Sequence, residues 1–219
     1  MLALGRPSIR DVFSGDALTE DTAVALEVIP AWSQTLAGRR AMREQHAADI
    51  VGFAARLYSH SRDAGDSMLP LVERALTPEN AARVVEETGF WDAAMRVLDG
   101  AHPRLYYVIA TVLRGSREHC ERFIEEEGGV GRLMYFICKP GCAALGANAV
   151  LAMDADERLT PTVAAFGRAG VWEESVLAAL EQLTQHESGA CIAARNATMF
   201  VPLVVVDSDI ARRILHNIH

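Results

Sequence analysis

Lysine is nearly absent from this chain: Lys139 is the one lysine among 21 Lys and Arg side chains, which face 29 carboxylates. The formal charge is −8 and the pI about 5.4, so a polyanion meets long-range repulsion and nucleic acid is set aside as a partner. The arginine bias reads first as the codon usage of a GC-rich genome, although guanidinium also suits planar contact with carboxylates. Aromatic residues are scarce at 6%, yet half the residues are apolar and 23% are charged, which excludes disorder for most of the chain. No window approaches the roughly 20 apolar residues that span a bilayer, and Met1-Leu-Ala-Leu-Gly-Arg-Pro is too short in apolar length for a signal peptide. The expected setting is therefore cytoplasmic, with no membrane partner.

Motifs that carry chemistry are missing as well. There is no Gly-x-Ser-x-Gly elbow, phosphate loop, Gly-x-Gly-x-x-Gly or His-Glu-x-x-His, and the seven histidines are scattered. Cys120, Cys138, Cys142 and Cys191 are unevenly spaced, mostly inside apolar helical runs, where free cysteine behaves as a small buried hydrophobe. Cys138-Lys-Pro-Gly-Cys142 with His119-Cys120 lacks the second knuckle that zinc needs. The acidic runs Glu125–Glu127 and Asp154–Glu157 match neither a calcium loop nor a catalytic carboxylate, and read as a solvated face and a helix cap. No catalytic, cofactor-binding or metal-binding residue is expected, and no enzyme.

What is present is a repeat. Val84-Val-Glu-Glu-Thr-Gly-Phe-Trp91, Ile124-Glu-Glu-Glu-Gly-Gly-Val130 and Ala165-Phe-Gly-Arg-Ala-Gly-Val-Trp172 share a polar or charged stretch, a glycine and an apolar opening. The marker glycines Gly89, Gly129 and Gly170 are 40 and 41 residues apart. A glycine there ends one helix in a left-handed conformation and lets the next leave steeply. After it, each unit continues with a second helix, a Gly- or Pro-containing break and a third helix: 91–98 and 104–114, 133–137 and 142–153, 172–183 and 190–200. Leu105, Val108, Ile109, Val112 and Leu113 fall on one buried stripe of the first of these third helices.

The pattern fades upstream, where 40–49, 50–59 and 67–76 make a degenerate unit and 21–36 a cap helix interrupted at Pro30. At the other end, Asp207-Ser208-Asp209 reads as an N-cap. Ile210, Ile214, Leu215 and Ile218 then form an apolar face, like the first helix of a further unit. Such an edge would be covered by a partner, a second copy in a homo-oligomer, or more of a larger complex.

These junctions, best of all Cys120-Glu-Arg-Phe-Ile-Glu-Glu-Glu-Gly-Gly-Val-Gly-Arg-Leu-Met, resemble the armadillo family of helical repeats over about residues 40–206. The resemblance implies an all-α, right-handed superhelical solenoid of about four three-helix repeats. Residues 1–38 would be an N-terminal cap, 39–78 the degenerate repeat, 79–118, 119–158 and 159–206 full repeats, and 207–219 the start of another repeat or a C-terminal cap. It also implies a non-catalytic scaffold or adaptor whose third helices line a concave protein-binding surface. The asparagine ladder with which many armadillo proteins clamp extended peptides would fall near Gly115 and Asp154, where no asparagine stands, so importin-like capture of a basic peptide is not implied.

Expected contact residues lie opposite each buried stripe: Tyr107, Thr111 and Arg114, with Asn148 and Arg195 as counterparts in the next two units, and Ile210 and Ile214 at the edge. Tyrosine and arginine each offer a large body and a directional polar end. The rival expectation is a structural subunit built permanently into a large assembly, such as a cytoskeletal or ciliary complex.

Overall fold

Helix starts along the chain follow short polar caps. The hydroxyls of Thr35, Ser61 and Ser116 accept from the backbone N–H groups of Gly38, Ala64 and His119, and the Thr77 N–H donates to the Asn80 side chain at 2.8 Å just ahead of Pro78. The computed structural model describes residues 12–13, 31, 34–99, 102–126 and 128–219. Among these it is all-helical, with 14 α-helices and no strand. The expected cap helix at 21–36 lies outside the described residues except for its last few positions. The chain divides into two compact units, residues 1–115 and 116–219.

In the first unit the helices are α1 (Leu36–Glu44), α2 (Ala47–His60), α3 (Arg62–Ala75), α4 (Pro78–Glu87), α5 (Phe90–Val97) and α6 (Pro103–Gly115). In this unit α2 packs on α5, and α6 packs on both α3 and α4. Gly89, at φ 65°, makes the α4–α5 junction in the left-handed region as expected. The stripe Leu105, Val108, Ile109, Val112, Leu113 is buried throughout. The α2–α3 hairpin is pinned by the buried Tyr58, whose hydroxyl donates to Asp66 at 2.8 Å and whose ring lies at 5.9 Å, edge-on, from Phe90. Burial and the Asp66 carboxylate push that phenol far above its ordinary range.

The second unit comprises α7 (Arg117–Glu125), α8 (Gly129–Ile137), α9 (Ala143–Ala152), a 3-10 helix (Glu157–Thr162), α10 (Val163–Ala169), α11 (Glu174–Thr184), α12 (Glu187–Arg195), α13 (Ala197–Phe200), a second 3-10 helix (Val201–Val205) and α14 (Asp209–Ile218). Here the elements exist much as read, but their layering differs. The main partners of α11 are α9 on one side and α14 on the other. A nominal second helix thus packs between a nominal third and a nominal first. Half of α9 is alanine, and Gly146 seats it against α8, where a Cβ would meet the Ile137 side chain at 2.3 Å.

Three local expectations are corrected. The left-handed residue of the second junction is Gly128 (φ 62°), one place before the marker Gly129, which instead starts α8 where a Cβ would meet the Phe123 ring at 2.4 Å. Trp172 lies outside the helix, which begins at Glu174, and its ring packs at 6.1 Å from Phe200. The helix expected over 190–200 breaks at Asn196, whose side-chain amide donates to the Ile192 carbonyl at 2.7 Å and so competes with the backbone for it.

No single helix among the described residues is long and apolar enough to cross a membrane. The pair Glu187–Arg195 and Ala197–Val205 has the length and composition together, but is bent by 90°.

Candidate functional site

In the first unit, α6 carries no acidic residue, and its inner stripe fixes which side chains face outward. Tyr107 is 46% exposed, and Arg114, two turns on, is exposed as well. Arg104, one turn before Tyr107, pairs with Glu73 of α3 at 3.0 Å. Thr111 is half-buried and its hydroxyl donates to the Tyr107 carbonyl at 3.1 Å, so it supports the helix more than it offers a free polar group. The structure therefore brings Tyr107, Thr111 and Arg114 onto one face, as the spacing predicts.

The remaining expected contact residues belong to the second unit. Asn148 is half-buried on α9, and Arg195 is exposed at the end of α12. Ile210 is half-buried, but Ile214 is fully buried with Ala211 where α14 packs on α11. Ile214 is thus a core residue and offers no contact surface. The helix face expected to lie open is largely covered by the same unit, because α11 takes the place expected for a missing neighbour. Arg213 pairs with Glu181, and Asn217 donates to the Thr184 hydroxyl at 3.4 Å, which fixes the register of α14 on α11.

Exposed apolar surface lies elsewhere. Val201, Val204 and Val205 are 61%, 69% and 85% exposed on the second 3-10 helix. The β-branched run after Pro202 was the available signal, and no helical stripe marks it as outward. Tyr135 is 62% exposed, with the Lys139 ammonium 4.6 Å from its ring centroid, a pair separated by one helical turn.

The polar clusters resolve into caps and ion pairs. Asp156 caps the first 3-10 helix, accepting from the Arg158 N–H at 2.9 Å, and its carboxylate meets the Arg158 guanidinium at 2.8 and 3.0 Å. That fork holds the Asp156 carboxyl below its usual range. Arg158 also reaches Glu125 of α7. Just upstream, Asp154 and Ala155 take left-handed φ values of 51° and 49°, an unusual pair for residues with side chains. They border an open polar groove lined further by Glu181, Gln182, Gln185 and His186.

None of the four cysteines is in a disulfide. Cys142 is buried as expected, but Cys138, in the turn that follows α8, and Cys191, on α12, are exposed. The half-buried Cys120 thiol is pushed up to about 11, first by burial and then by the carboxylates of Asp154, Asp156 and Glu121. His119 is buried one residue away, its Nδ1 2.9 Å from the Ser116 hydroxyl. Among the described residues no group of three or more His, Cys, Asp or Glu is placed to hold a metal ion.

Comparisons of the chain with protein-family models, curated proteins and solved structures give no match.

Proposed function

We propose that this chain is a non-catalytic protein-binding scaffold with armadillo-like stacking, and that the outer face of α6 is its contact surface. The observation that carries the reading is Tyr107: a large aromatic side chain held 46% exposed on a helix whose opposite side is buried. With Arg114 near it, the face has the two residue types most favoured at interface hot spots. A surface ordered before binding loses less entropy on association. The second-on-second, third-on-third packing of α2 with α5 and α3 with α6 supports the armadillo-like part of the reading. Two exposed free thiols fit a reducing compartment, and so the cytoplasm.

The experiment is copurification from the native source with wild-type and Tyr107→Ala/Arg114→Ala chains, read by mass spectrometry. A partner retained by wild type and lost from the double variant supports the reading, provided the variant keeps its helical circular dichroism. A partner set unchanged by the double substitution contradicts it.

A second reading, a subunit embedded permanently in a larger assembly, is favoured by the exposed Val201, Val204 and Val205. It requires that the isolated chain aggregate and that Val204→Ser/Val205→Ser make it soluble. A scaffold of the first kind is soluble without those changes.

A further inference from the structure

Phe13, far in sequence from the helix α2 on which it packs, is 1% exposed. Its ring packs on Phe53 of α2, with centroids 5.3 Å apart and planes tilted by 47°. Its backbone carbonyl accepts a hydrogen bond from the Arg56 guanidinium, 43 residues away in sequence. The same guanidinium lies 5.8 Å from the Phe53 ring centroid. Arg56 is only half-buried, and the buried Gly52 lies beside it one turn earlier on α2.

One feature adds to ordinary core packing here. The Phe13 ring supplies apolar burial, which a core could also provide. The carbonyl, however, is read by a charged side chain, and a charged donor on a main-chain oxygen is strong whatever residue carries that oxygen. One aromatic anchor plus one main-chain hook can hold a short segment on a folded surface, the anchor giving specificity and the backbone bond adding affinity. The whole socket lies on one turn of α2, since Phe53 and Arg56 are three residues apart. It is separate from the α6 face and does not depend on the function proposed for it.

We propose that the α2 face formed by Gly52, Phe53 and Arg56 is a docking site for a short peptide segment anchored by phenylalanine, and that the chain's own Phe13 occupies it. A segment of the same pattern from another chain would compete for the socket with Phe13, which at present blocks it.

The test uses the full chain. Fluorescence anisotropy follows a labelled synthetic peptide copying residues 8–18, titrated with wild type, Phe13→Ala and Phe13→Ala/Arg56→Ala, each checked by circular dichroism. The expected result is saturable binding to Phe13→Ala with a Kd on the order of micromolar, at least about tenfold weaker binding to wild type, and a further loss of about tenfold or more in the double variant. A peptide with alanine in place of its phenylalanine should not bind. Loss of helical signal in Phe13→Ala would overturn the proposal, because Phe13 would then be a fixed part of the core. So would a folded Phe13→Ala chain that binds no better than wild type, or binding indifferent to Arg56 or to the peptide's phenylalanine.

Discussion

Gly115 and Pro78 are in such close approach that a Cβ on the glycine would lie 1.9 Å from the proline's carbonyl oxygen. The end of α6 thus crosses the start of α4 backbone to backbone, and no side chain can intervene. Gly115→Ala must push the two helices apart. It is expected to destabilise the first unit by roughly 1–3 kcal/mol, the range for overpacking. Urea unfolding followed by circular dichroism would show this as a lower midpoint. An unchanged midpoint would mean that the crossing is looser than described.

Ile214 and Ile210 sit one turn apart on α14 but differ in burial, the first fully enclosed and the second half-buried. Ile214→Ala should cost about 2–5 kcal/mol, the range for truncating a buried isoleucine, and Ile210→Ala distinctly less. Equal effects in denaturant melts would show that α14 is not seated on α11 as found.

Much of this was readable from short-range signals. The helices α4 to α9 are bounded by Thr77, Pro78, Gly89, Pro103, Ser116, Gly128 and Pro140, residues whose preferences act within a few positions, and the stripe of α6 repeats at helical spacing within one segment. What was hidden depends on distant residues. Whether α11 meets α8 or α9 is decided by the fit of flat, alanine-rich faces, which leaves no local mark. Ile214 and Ile218 look alike in sequence, yet only the former is fully buried. The choice between Gly128 and Gly129 was set by the Phe123 ring. Phe13 had no signal, because its socket lies on α2.

Asp156 makes the second unit acid-sensitive. Its folded-state carboxyl sits below the unfolded value because of the Arg158 hydrogen bonds. The stabilisation is therefore present above the unfolded pKa, and is lost as pH falls through the lower folded value. Thermal midpoints between about pH 6 and about pH 3 should fall less steeply for Asp156→Asn than for wild type, whose advantage narrows toward the acid end. Parallel curves would remove Asp156 from the account.

The cysteines should react in order of exposure. At neutral pH, iodoacetamide is expected to modify Cys138 and Cys191 first. Cys142 is buried, and Cys120, with its thiol pushed up to about 11, presents almost no thiolate. Both should label only after unfolding. Peptide mapping by mass spectrometry reads the order, and early modification of Cys120 would contradict the environment described for it.

The proposed contact surface on α6 is tested most directly by placing a photo-crosslinking benzoylphenylalanine at position 107 and, separately, at exposed position 83 on α4, in the protein expressed in its native source. Scaffolding through α6 predicts discrete higher-mass adducts from position 107 that disappear when Arg114→Ala is added, and none of the same mass from position 83. Adducts absent from position 107, or identical from both positions, would contradict it.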